Sequence, residues 1–220
     1  MEPPVILNPV LADAVIAYIQ EGLKENLPWL DVAFGRAERI VKHINGRNLY
    51  LPAIYTGNDK NFNEYIELSP DANIGNFSFF WMLEPQRLTW RPKIQGTFRD
   101  PFALIFWVDL RKVHSSRANR NIMSLEAEIL RVLNGGFKIP IGSLSIDRIY
   151  HLAENIYREF TLNEVDNQFL MHPYTGFRFE GELIYDEPCY NTSLSDTWYL
   201  LTSTGDYLLT ADGERIIVKH

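Results

Sequence analysis

Hydrophobic positions recur along this chain at two periods, and the switches between them mark its elements. In "NPVLADAVIAYIQEGLKEN", Leu11, Val15, Tyr18, Ile19, Gly22 and Leu23 share one face at helical spacing. Asn8 is placed to cap that helix, Pro9 to open it, and Asn26 to Pro28 to stop it. The period then drops to two. Ile40, Lys42 and Ile44 alternate with Val41 and His43, and Asn45-Gly46 follows before Leu49 and Leu51, which predicts a β-hairpin. Pro52 favours an edge position or a bulge in its second strand.

"EYIEL" and "NFSFFWML" read as two further strands. "FALIFWVDL" is almost continuously apolar, which predicts a central strand buried on both faces. Ahead of it, the proline-punctuated "EPQRLTWRPKIQGTFRDP" reads as a long loop or projecting arm near residues 84–100. Two helices are expected next. Ser124 would cap "LEAEILRVLN", ended by Asn134-Gly135-Gly136. Ser145 would cap "IDRIYHLAENIYREF", with Ile146, Ile149, Leu152, Ala153, Ile156 and Phe160 as its apolar stripe. "GFRFEGELIYD" returns to strict alternation, with Phe177, Phe179, Gly181, Leu183 and Tyr185 on one face.

This order predicts an α+β fold: a mainly antiparallel sheet covered by the N-terminal helix and two later helices. The core would span residues 1–190. Residues 191–220 would add a small β-meander of three strands, Trp198 to Leu201, Tyr207 to Leu209 and Arg215 to Val218, joined by "TSTGD" and "TADGE". Strands this short do not stand alone, so the meander is expected to lie on the core or on another chain.

Composition narrows the function. With 46% hydrophobic and 22% charged residues, the chain is globular in character. Its net charge of -7 argues against nucleic acid as the main partner. The single cysteine, Cys189, has no internal partner and suits a reducing cytoplasm. "MEPPVILNPV" lacks the form of a secretory signal, and "FALIFWV" is too short to span a bilayer, so a soluble intracellular protein is expected.

Catalytic chemistry is sparse. His151 and Glu154, three apart on an expected helix, are the best metal anchor, and a solvated face explains them better. His172 before Pro173 reads as a turn, His43 lies in a strand and His114 in a polar loop. "NGGFKIPIGS" lacks phosphate-loop spacing, and there is no G-x-S-x-G elbow. Glu180 and Glu182 share one strand face and read as solvated. No catalytic, cofactor-binding or metal-binding residue is therefore expected. The candidate interface is Arg87, Trp90, Arg91 and Lys93 in the arm, with Trp198, Tyr199 and Tyr207 in the terminal strands. Two alternatives stay open: an enzyme or metal-binding protein whose site is assembled from distant residues, and a nucleic-acid adaptor that uses the 87–93 cluster.

The helix, the hairpin carrying "YLPAIYTG", the strands, two helices and the last strand follow the order of a known group. With "NFSFFWMLEPQ", "PFALIFWVDLRKV" and "AENIYREFTLNEVDNQFLMHPYTGFRFEGEL", the chain resembles, over roughly residues 8–187, the tail terminators of tailed bacteriophages. These are also called tail-completion or head-tail joining proteins, here of the kind in Bacteroides-like prophages. The resemblance implies a non-enzymatic virion protein without cofactor. Its partners would be copies of itself, in a ring that is commonly hexameric, and tail-tube or head-neck proteins. It would reside in the virion tail or neck after assembly in the host cytoplasm.

Overall fold

The computed structural model describes residues 11–56, 65–69, 74–91, 95–113, 122–161 and 170–186, and the backbone of 198–199 and 217–218; at 90, 91 and 95 it describes the backbone alone. Asn8, Pro9, Lys93, His114, Cys189 and Tyr207 lie outside the described residues. In chain order the elements are α1 (Ala12–Asn26), β1 (Val32–Arg36), β2 (Glu38–Ile44), β3 (Arg47–Tyr55), β4 (Tyr65–Glu67), β5 (Phe77–Met82), β6 (Arg87–Arg91), β7 (Gln95–Asp109), α2 (Leu110–Val113), α3 (Ile122–Gly135), β8 (Gly142–Tyr150), α4 (Ala153–Ile156), β9 (Tyr174–Asp186), β10 (Trp198–Tyr199) and β11 (Ile217–Val218).

The main sheet is built around β7. Its strand order is β1-β5-β7-β9-β8, and β6 pairs with the first part of β7 beyond the end of β5. Only β1–β5 is parallel; the other pairs are antiparallel. The unbroken apolar run of β7 has a direct cause. Phe102, Leu104, Phe106 and Val108 face a core under α1 and α3, while Ala103, Ile105 and Trp107 face a second core. That second core is roofed by the sheet β2-β3-β4 and by α4. The chain is thus α+β, with helices on one face of the main sheet and a small sheet on the other.

Several expectations hold locally. The turn Asn45-Gly46 joins β2 to β3 with φ of 50° and 76°, the left-handed values that Asn and Gly tolerate. α1 stops at Asn26, and α3 ends at Gly135. Pro52 is in the middle strand of its sheet, not at an edge. Its carbonyl accepts from Leu68 N at 2.9 Å or less (2.8 Å), where the β3–β4 ladder ends, so its missing N–H leaves no gap.

Other expectations are corrected. Ser124 lies inside α3, which starts at Ile122. The helix expected from Ser145 is strand β8 followed by the single turn α4. The cause is a bulge between Ile146 and Arg148. An extra residue in a strand turns the two-residue spacing of inward positions into three. Leu144, Ile146 and Ile149 therefore all pack on the helical-side core, at a spacing that imitates a helix. Gly181 sits opposite the bulge, where an added Cβ would lie 1.7 Å from the Ser145 carbonyl oxygen. The arm is no loop but a hairpin, with Arg87 opposite Arg99 and Arg91 opposite Gln95. At the C-terminus, β10 pairs with β11, Trp198 against Val218 and Tyr199 against Ile217. The middle strand expected for the meander, Tyr207 to Leu209, lies outside the described residues.

Candidate interaction surface

Two β-hairpins, β2–β3 and β6–β7, lie at the same end of the main sheet, and the second stays joined to it where Thr97, Phe98 and Arg99 pair with Asp186, Tyr185 and Ile184. β1 and β5 run parallel, β2 follows β1 after the single residue Ala37, and β6 follows β5 after four residues. One residue bends a strand without reversing it.

The β2–β3 hairpin is buried only at its base, where Leu51 and Ile54 enter the second core and Ala53 is buried beside them in sequence. β2 itself is exposed at every position but Ile40, and Val41 and Ile44 stay 56% and 47% exposed although they lie on opposite faces. Arg39 stacks over the Tyr50 ring at 5.1 Å, Lys42 pairs with Glu67, and His43 Nδ1 meets Asn48 Oδ1 at 2.9 Å. Thr161 pins the inner half by donating its N–H to the Tyr50 carbonyl at 2.9 Å, and its Oγ1 accepts from Tyr50 N at 2.7 Å.

The β6–β7 hairpin carries Arg87, Trp90 and Arg91 of the expected interface residues. Positions 87, 89 and 91 share one phase of β6, and 88 and 90 the other, so the pleat divides Arg87 and Arg91 from Trp90 by position. Arg87 and Arg99 flank Glu182 on β9, at 3.8 and 3.3 Å, and the Arg87 side chain is 73% exposed. Leu88 is half exposed. Trp198 and Tyr199 belong to the separate β10–β11 pair. The alternation Arg-Leu-Thr-Trp-Arg was the signal for β6, hidden by the prolines on either side.

Residues weighed for catalysis have structural partners. His151 is not helical; its Nδ1 lies 2.7 Å from Glu126 Oε1, tying the end of β8 to α3. Glu154 lies in the first turn of α4. Glu180 is not solvated. It is buried beside Arg178, a guanidinium with no exposure at all. Arg178 Nε donates to Glu180 Oε1 at 2.7 Å, its Nη1 and Nη2 reach the two Glu159 oxygens, and Arg158 Nη2 closes the set on Glu180 at 2.7 Å. Two cations and two anions balance, as a buried charge cluster requires. Glu182 is partly buried, 24% exposed, between Arg87 and Arg99.

At the opposite end of the sheet, Asp109 holds Arg111 through Nε and Nη2, which keeps its carboxyl below the ordinary range. Elsewhere Tyr185 donates to Asp100 Oδ2 at 2.5 Å, and burial with that carboxylate raises its phenol. Among the described residues no group of three His, Cys, Asp or Glu could hold a metal ion, and no helix is long and apolar enough to cross a membrane. What the surface offers instead is backbone edges, exposed apolar side chains and guanidinium groups. That is the equipment of protein contacts.

No protein-family model matches the chain, and no curated protein is similar to it.

Proposed function

We propose that this is a non-enzymatic assembly protein of a tailed phage, a tail-completion or head-tail joining subunit that self-associates into a ring and docks on tail-tube or neck proteins. The resemblance supplies the family. It rests on an element order in which β8 takes the place of one expected helix. The observation that carries the assembly reading is the pair of hairpins rooted at one end of the sheet. The outer strands β2 and β6 leave large apolar side chains exposed, which adds little stability to an isolated subunit. It gains more when a neighbour covers Val41, Ile44 and Leu88.

In this reading the protein belongs to the virion tail or neck, is made in the host cytoplasm, and works without cofactor. Electron microscopy of the purified full chain tests it. Closed rings of uniform diameter are the expected result, and a field of isolated subunits counts against it. The nucleic-acid adaptor reading draws on Arg87 and Arg91, and salt-dependent retention of duplex DNA is its mark.

A further inference from the structure

A carboxylate buried without a cation is costly, and β7 buries one at Asp100, which is 6% exposed. Strand alternation puts Asp100 in phase with Phe102 and Leu104, on the face of the main sheet that α1 covers. Its Oδ2 accepts from the Tyr185 hydroxyl at 2.5 Å, and Gln86 Nε2 donates to the same phenol oxygen at 3.3 Å. Its Oδ1 is buried and, among the described residues, meets neither a hydrogen-bond donor nor a cation. The Arg178 cluster balances its charges within the chain; Asp100 does not.

A second orphan oxygen belongs to the first turn of α1. Asp13 Oδ2 lies 3.4 Å from Arg36 Nη2, and Asp13 Oδ1 is buried without a partner among the described residues. The start of α1 sits over Tyr185: a Cβ added to Gly142 would meet both Val15 Cγ2, at 3.1 Å, and Tyr185 Cβ, at 3.2 Å. Burial first, then Asp100 and last Asp13 raise the Tyr185 phenol, so both carboxylates act on one hydroxyl. Two carboxylates face one cation, the half-exposed Arg36.

We propose that Asp100 Oδ1 and Asp13 Oδ1 hold a hard divalent cation, magnesium or calcium, with the Gln86 side-chain oxygen and water completing its shell. The donor set selects the ion. It is all oxygen, which suits magnesium or calcium and not zinc. Two carboxylates are fewer than an all-protein cage needs, but magnesium keeps several waters beside one or two carboxylates. Gln86, exposed and bonded to the phenol, is the member that borders solvent. A proton on Asp100 is the other possible counter-charge. Tyr185 already donates to that carboxyl, however, and a hydroxyl at Oδ1 would be a buried donor in need of an acceptor. The bound ion is structural: it ties the first turn of α1 to β7 and to the foot of β6. It stands apart from the assembly reading.

Thermal melting of the full chain, stripped with a chelator, tests this. Magnesium or calcium chloride is added at ionic strength held constant with potassium chloride. Either ion at millimolar concentration is expected to raise the melting temperature by about 2–5 °C, and calorimetric titration to show one ion per chain. Asp100→Asn keeps the shape of the site and is expected to abolish the rise, without lowering the ion-free melting temperature. Asp13→Asn is expected to weaken binding about tenfold or more, and it carries the test should Asp100→Asn not fold. No rise and no heat up to about 10 mM of either ion overturns the site. An equal rise in wild type and both variants also overturns it, because the ion then binds elsewhere on the surface. A melting temperature that ignores both ions but climbs on acidification in wild type, and not in Asp100→Asn, assigns the counter-charge to a proton instead. None of these results bears on whether the chain assembles.

Discussion

Arg178, wholly buried in β9, grips Glu159 with both ends of its guanidinium, Nη1 to Oε2 at 2.5 Å and Nη2 to Oε1 at 2.7 Å. The same side chain reaches the Ile156 carbonyl through Nη1 at 3.3 Å and Glu180 through Nε. It therefore fastens α4 and the residues after it to the main sheet. Removing one member of a buried charge cluster strands the others. Arg178→Met is expected to cost about 3–5 kcal/mol in a urea titration. A cost under about 1 kcal/mol would mean that water replaces the arginine readily.

The pH dependence follows from the same contacts. Burial opposes ionisation of Glu159, but Arg178 outweighs it and holds the carboxyl below its ordinary 4.5. Hydrogen bonds from Arg111 lower Asp109 below 3.8. A depressed carboxyl adds stability that is present above its unfolded value and lost as pH falls through its folded one. Stability from these two groups should hold from neutrality down to about pH 4.5 and fall below it. Arg111→Gln should remove the Asp109 share of that acid loss. Denaturation midpoints that do not move on acidification would contradict the assignment.

Glu126 has the opposite sign. Burial raises its carboxyl above 4.5, by more than His151 lowers it. Ionising it therefore costs stability as pH rises through that range. Glu126→Gln is expected to raise the melting temperature at neutral pH and to change little once the carboxyl is protonated. A lower melting temperature at neutral pH would show that the His151 pair dominates.

Tyr157 is fully buried against Phe79, its hydroxyl has no hydrogen-bond partner among the described residues, and burial raises its phenol strongly. Leaving a buried hydroxyl unpaired costs about 1–3 kcal/mol. Tyr157→Phe is expected to stabilise the fold by about 1 kcal/mol, measured by thermal melting. Destabilisation would reveal a partner for the hydroxyl.

Gly181→Ala tests the β8 bulge. The new Cβ meets backbone, the Ser145 carbonyl, which has no flexible end to move aside. A loss of about 1–3 kcal/mol or more is expected. Retained stability would mean that β8 can shed its bulge and re-register.

The parts of the fold that were legible in sequence are those where one physical rule acts alone. Asn45-Gly46 marked its turn because few other pairs accept two left-handed residues. "FALIFWV" marked the centre of the sheet because only burial on both faces removes alternation. Legibility failed where a second effect reset the pattern. The bulge before Arg148 gave β8 a helical spacing. Prolines 85 and 92 disguised β6, whose pairing comes from β7 and so from contacts distant in sequence. Glu180 looked solvated because the balancing charges, Arg158 and Arg178, are brought to it by the fold. Arg87, Trp90 and Arg91 lie on β6, in a hairpin with β7 that only the fold reveals.

Self-association is the central claim, and the molar mass of the purified chain in solution tests it most directly. Light scattering on a size-exclusion column is predicted to return one discrete species of two or more times 25.6 kDa. A single species of 25.6 kDa at every concentration and salt would contradict it.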